Sequence, residues 1–265
     1  MSCIEDSHPY WSYEKPSEWC KRFPHANGSW QSPIDIDSID TIPQMYPPFV
    51  FSSKYDSDQL FTLNNDGQQI TATLSTTCMN DINQNELWFS GSGLQGRFHF
   101  VNFHLHWGRN NRHGSEHEIN GHRFPAEAHF VHKNHDNGQI AVLALFLTII
   151  EDTDNINTKH NEWEKYADVA SQLNKIQKTA TCTFNLSQLM QIDDRDFFRY
   201  VGSLTTPPCT EGIIWTIFSH AIPMKGKSLN LLRQNILKKV HRPIQPINGR
   251  TIFRNYYHYY YSKTI

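Results

Sequence analysis

The chain has 265 residues, with 24 Lys and Arg against 26 Asp and Glu, a net charge of −2 with histidine neutral. That balance is ordinary for a globular protein with a substantial core, and no basic block or stripe suggests a nucleic acid partner. No apolar run approaches the roughly 18 residues of a membrane helix, so no transmembrane segment is expected. Residues 1–30 lack strong periodicity, but Tyr10, Trp11, Tyr13 and Trp19 supply aromatic anchors, which predicts an irregular arm packed on the body. A disordered tail fits 1–9 only. Pro33 keeps the segment beginning Gln31-Ser32 extended. Asn64-Asn65-Asp66-Gly67 is a turn signal between β-like runs at 59–63 and 68–74.

The most informative stretch is 97–135. Residues 98–107 alternate, which puts Phe98, Phe100, Asn102, His104 and His106 on one strand face. A second alternating run at 126–132 puts Glu127 and His129 on a common face. Two neighbouring strands could converge His104, His106 and His129 on one cation. Three neutral nitrogens with a fourth position open to water make a catalytic zinc site. In a chain with 15 histidines the spacing alone is equally open to surface residues on an alternating strand. A partner beside each ligand favours the metal: Asn102 precedes His104, and Glu127 precedes His129, by two residues on the same face.

Further along, 140–150 (IAVLALFLTII) reads as a central strand buried on both faces. In 158–176, Trp163, Tyr166, Val169, Ala170, Leu173 and Ile176 recur at helical spacing. A second helix is expected over 228–239, with Ser228 as N-cap and Lys238 and Lys239 near its end. The Tyr-rich tail at 256–265 fits a terminal strand, a partner contact or a cloning remnant. Without repeats, low-complexity segments or a composition shift, one domain over 1–265 is expected.

FHLHWG at 103–108, GSEH at 114–117 and AEAHFVH at 126–132 resemble the α-class carbonic anhydrases. So do QSPIDI at 31–36, SLTTPPCTEGIIW at 203–215 and RPIQPINGR at 242–250, in family order. The resemblance implies an α+β, mainly β domain: a large twisted, mostly antiparallel sheet, short peripheral helices, and Zn2+ in a conical cleft. It implies reversible hydration of carbon dioxide to bicarbonate by zinc-bound hydroxide, for which carbonic anhydrases are themselves the reference case. His104, His106 and His129 would be the ligands, with Asn102 and Glu127 behind them. Thr205 would aim the hydroxide, its own proton held by Glu116. Val131, Val142, Leu204 and Trp215 would wall the substrate, though they fit core packing as well. Thr206 would contact bicarbonate or an anionic or sulfonamide-type inhibitor. His117, His132 and Tyr200 also match family positions, His117 reading as a core histidine and not a ligand.

Two departures carry expectations. Gln68 stands where the fastest members have a histidine that carries protons; glutamine does not titrate, so proton export should be slow unless a group such as His8 or His113 replaces it. Asn102 replaces the family's usual glutamine, and its shorter side chain is expected to reach His104 less well. By resemblance Cys20 and Cys209 match a disulfide of secreted and membrane-bound members, the alternative being two buried thiols. Five cysteines leave an odd thiol, and Cys3, Cys78 and Cys182 are unassigned. The first residues lack signal-peptide character, which leaves a cytosolic protein or a mature segment behind an added Met. The cysteines, with sequons at Asn27 and Asn185, favour a secreted or extracellular glycoprotein. A metal-free binding module on the same fold is the rival, and the intact ligand set argues against it.

Overall fold

The computed structural model describes residues 11–75, 87–151, 162–192 and 196–255. Readings placed on Cys3, His8, Tyr10, Cys78, the start of the 158–176 run and the 256–265 tail lie outside those residues. In chain order the strands begin with β1 (Asp35–Ile36), β2 (Ile42–Gln44), β3 (Phe49–Phe51), β4 (Asp58–Asn65) and β5 (Ile70–Leu74). Next come β6 (Trp88–Gly91), β7 (Leu94–Trp107), β8 (Glu118–Ile119), β9 (Ala126–Asn134) and β10 (Ile140–Ile150). The last are β11 (Thr179–Asn185), β12 (Phe197–Ser203), β13 (Glu211–Lys225) and β14 (Phe253–Asn255). Among the described residues three short α-helices accompany them: α1 (Glu162–Ala170), α2 (Leu186–Met190) and α3 (Gly226–Asn235).

All the strands but β1 and β8 join one mixed sheet in the order β11-β4-β5-β7-β9-β10-β13-β12-β14-β2, with β6 off that path beside β7 and β3 paired to β6. Most steps are antiparallel, as expected; β10–β13 and β14–β2 are parallel. The apolar run at 140–150 is the central strand β10. Its alternate residues enter two cores, Leu143, Leu145 and Leu147 on one face and Val142, Ala144 and Phe146 on the other. The first core also takes in the helices through Trp163, Tyr166, Leu189 and Leu232. Coverage on both faces is why the strand needs no polar alternation.

The alternation of 98–107 does not run straight. A β-bulge at Val101 leaves Phe100 opposite His132 and Asn102 opposite Val131. The extra residue reverses the phase, so Phe98 and Phe100 join Phe103 and Leu105 in the first core. Asn102, His104 and His106 are released to the other face.

Both predicted helices end earlier than expected. α1 stops at Ala170, and Leu173 packs beyond its end while Ile176 lies against Gly67. The chain leaves the helix to bond the 64–67 turn: Asn65 Nδ2 donates to the Leu173 carbonyl at 2.6 Å and Gln177 N to the Asn65 carbonyl at 2.7 Å. In α3 the N-cap is Lys225, without a side-chain cap bond, and Ser228 is buried inside the helix.

Two expectations tied to secretion find no support in the structure. Cys20 and Cys209 are separate thiols, one exposed and one buried. Cys20 sits on the outer side of a 3-10 turn, its Sγ 3.5 Å from the Ser17 carbonyl, while the neighbouring Trp19 takes the inward position. Cys182 is unpaired as well. Asn185 is buried, and its Oδ1 accepts from Gln188 N at 3.1 Å as the cap of α2, which commits the carboxamide within the fold. Asn27 is exposed.

A test of the thiol assignment is thermal or urea unfolding of Cys20→Ser. We expect a midpoint unchanged from the parent. Loss of a disulfide closing so long a loop would instead remove about 4–5 kcal/mol.

Candidate metal centre

β7 and β9 pair antiparallel with His104 directly opposite His129 and His106 opposite Glu127. The register puts the three predicted imidazoles on one patch, and one nitrogen from each lies within 4.8 Å of the others. All three are buried, His104 alone retaining 8 % exposure.

The outer partners decide which nitrogen faces inward. His104 Nδ1 is 3.0 Å from Asn102 Oδ1, and His106 Nδ1 is 3.0 Å from the Val240 carbonyl. Both acceptors require N–H at Nδ1, which leaves the Nε2 lone pairs free. His129 is reversed: its Nε2 donates to Glu127 Oε1 at 2.7 Å, leaving Nδ1. Asn102 thus reaches its ligand with an ordinary hydrogen bond, contrary to the expectation from its length. The Val240 carbonyl was not predicted; it arrives by an isolated bridge between Trp107 and Val240.

Glu127 is fully satisfied. Oε1 also faces His117 Nδ1 at 2.6 Å, and Oε2 accepts the amides of Glu116 and His117 at 2.8 and 2.7 Å. Burial alone would raise its pKa, but the charge and hydrogen bonds of His117 and the bond from His129 hold it well below the usual carboxylate range. His117 Nε2 lies 2.7 Å from Tyr200 Oη, which lies 2.7 Å from Ser32 Oγ. His117, Glu127 and His129 also converge, but they are bonded to one another, and so they form a support and not a second metal site.

Glu116 is only half satisfied. Its Oε1 accepts the Arg242 amide at 2.7 Å, whereas Oε2 has no hydrogen-bond partner and lies 3.5 Å from His106 Nε2. Burial and the charge of Glu127 push its pKa up to about 8; the Arg242 amide and the nearby Thr205 hydroxyl act the other way. Thr205 is buried.

Val142 and Trp215 are buried neighbours in register on β10 and β13, with Val131 and Leu204 packed against the same cluster. The Trp215 ring lies 4.8 Å from His129 and 4.9 Å from His117. Thr206 is half-buried on the segment after β12. Gln68 is buried, and its carboxamide donates to the Trp11 carbonyl at 2.6 Å. It ties down the N-terminal arm. His113 is exposed.

The donor set fits zinc. His106 Nε2 is a buried nitrogen without a partner, the cost a bound cation would remove. Burial first, then repulsion from His129, bring His104 down to about 3; His106 is likewise held well below 6.5, and His129 is lowered by burial against the pull of Glu127. Neutral imidazoles are what a metal ligand must be.

Such a sheet, with three convergent imidazoles and an oriented carboxylate behind them, defines a metalloenzyme. The profile of the family described as eukaryotic-type carbonic anhydrase matches residues 14–256. The chain is 31% identical to putative carbonic anhydrase 5 of Caenorhabditis elegans, covering 95% of this chain and 84% of that one. It is 30% identical to carbonic anhydrase 3 of Homo sapiens, covering 92% and 96%. The chain belongs to the eukaryotic-type carbonic anhydrase family: it is an enzyme, and its cofactor is zinc.

Glu127→Gln and Asn102→Ala should each weaken zinc about 10–100-fold in competition with a chelator, and Asn102→Gln should bring no gain. Zinc affinity should stay nearly flat as pH falls from about 7 to about 5.5, since protons compete weakly for these nitrogens. The zinc-free protein should lose stability as pH falls below the ordinary imidazole value of 6.5 toward the lowered values. There the unfolded chain binds protons that the folded imidazoles refuse. Glu116 works in the opposite sense, one group against three.

Proposed function

We propose that the chain hydrates carbon dioxide reversibly to bicarbonate and a proton at His104, His106 and His129, with export of the proton limiting turnover. The observation that carries the reading is the three buried imidazoles whose outer nitrogens are committed to Asn102, Val240 and Glu127, leaving their inner lone pairs free. Zinc, when held there, supplies the Lewis acidity that makes water a usable nucleophile near neutral pH, carbonic anhydrases being the reference case.

The chain's own groups do the aiming. Glu116 as a carboxylate accepts the Thr205 proton, so the Thr205 oxygen is left to accept from the nucleophile and turn its lone pair toward the substrate. Val131, Val142, Leu204 and Trp215 offer an apolar wall on which carbon dioxide displaces loosely held water. Thr206 donates to bicarbonate, and an anionic sulfonamide would use the same contacts. Glu127 holds His129 in one tautomer throughout. Gln68 neither titrates nor points away from the arm, so bulk buffer must collect the proton. An extracytosolic location belongs to the same reading and rests on the exposed sequon at Asn27.

Stopped-flow hydration with bound zinc quantified tests this. Turnover should require zinc, rise with buffer concentration, and be blocked by a sulfonamide. Gln68→His should lift turnover at low buffer by up to about tenfold, less than the roughly 10²–10⁴-fold of an optimally positioned proton-transfer group. Zinc-loaded protein with no turnover would sink the hydratase reading. Turnover indifferent to buffer would sink only the claim about proton export.

A further inference from the structure

The arm and the metal centre meet at one residue the function does not account for. Arg242 is 3 % exposed, and its main-chain N–H is the donor that holds Glu116 Oε1. Its guanidinium points the other way. Nη1 donates to Gln31 Oε1 at 2.9 Å and to the Ser32 carbonyl at 2.8 Å, and Nη2 donates to the Ala26 carbonyl at 3.2 Å. The planar group lies over the Trp19 ring, 5.4 Å from its centre. Gln31 in turn donates through Nε2 to the Cys209 carbonyl at 3.2 Å and to Glu211 Oε1 at 3.0 Å, just beyond the segment that carries Thr205. Two residues before Arg242, the Val240 carbonyl fixes His106.

We propose that Arg242 is a positioning residue: its guanidinium, clamped by the N-terminal arm, sets the main chain of 240–242 and thereby the orientation of Glu116. A guanidinium suits the task because its rigid fork reaches three acceptors at once, so the backbone at its root cannot rotate without breaking several bonds. Glu116 has no second good partner at Oε2, so the Arg242 amide is the contact that defines its plane. Docking of residues 19–32 is thus part of assembling the reaction geometry. Lysine keeps the charge but not the fork.

The inference rests on the hydratase reading, and the experiment separates the two. Arg242→Lys, Glu116→Gln and the double variant are compared by kcat/KM for carbon dioxide, with zinc content measured. Arg242→Lys should lose about tenfold with zinc retained, and the double variant should be no worse than Glu116→Gln, because residues acting as a unit are not additive. In zinc-stripped protein, hydrogen exchange at the Arg242 amide should be about tenfold faster in Arg242→Lys than in the parent. If Arg242→Lys does not fold, Gln31→Leu removes one acceptor and should give a smaller loss that vanishes beside Glu116→Gln. Losses that multiply in the double variant, or an Arg242→Lys enzyme within twofold of the parent, would overturn the proposal. A parent without turnover would overturn the hydratase reading alone, and the exchange measurement would still decide whether the arm controls the amide.

Discussion

The centre depends on one backbone register, His104 opposite His129 across β7 and β9. The ladder of hydrogen bonds on either side fixes it, and a slip of one residue would send every ligand to the opposite face. Given that register, neighbouring elements need only supply an acceptor for each outward nitrogen. They come from three places: the same strand for Asn102, the same strand for Glu127, and a distant segment for Val240. Burial then keeps the rings neutral. No single element makes the site; the sheet does, because its hydrogen-bond ladder fixes which residues of β7 and β9 face one another.

Two buried carboxylates a short distance apart have opposite fates. Glu127 accepts four hydrogen bonds and remains an anion, so its proton affinity is low despite complete burial. Glu116 has a donor on one oxygen only, and both burial and the Glu127 charge favour its protonated form up to about pH 8. A cation among the three imidazoles reverses that preference, since its charge is the largest in the neighbourhood. The carboxylate proposed to accept from Thr205 would therefore be readied by an ion held among the imidazoles beside it.

Much of this was legible in residue order. The His-x-His pair and the second strand with Glu127 and His129 follow from a period of two, and the central strand from an unbroken apolar run. The bulge did not, because one unpaired residue at Val101 leaves no mark on composition; only Phe98 and Phe100, too apolar for a ligand face, hinted that the phase must change. The Val240 carbonyl and the Arg242 amide meet His106 and Glu116 as main-chain atoms, and those two contacts carry no residue-type signal. The pairing of Cys20 with Cys209 and the sequon at Asn185 find no support for a common reason: both require exposure or proximity that a linear motif does not encode. Ser228 and the end of α1 were misjudged because tertiary contacts at the 64–67 turn and around α3 outweighed local preference.

The position of Val240 and Arg242 so late in the chain has a consequence for synthesis. β7 and β9, with all three ligands, leave the ribosome some hundred residues before the carbonyl that fixes His106 and the amide that fixes Glu116. The central strand β10 must likewise wait for β13, and β2 for β14. Pairings of such high sequence separation form slowly and last. During translation the nascent chain therefore carries Asn102 and Glu127 beside His104 and His129 from the start, while His106 waits for the Val240 carbonyl and is the last of the three to be fixed.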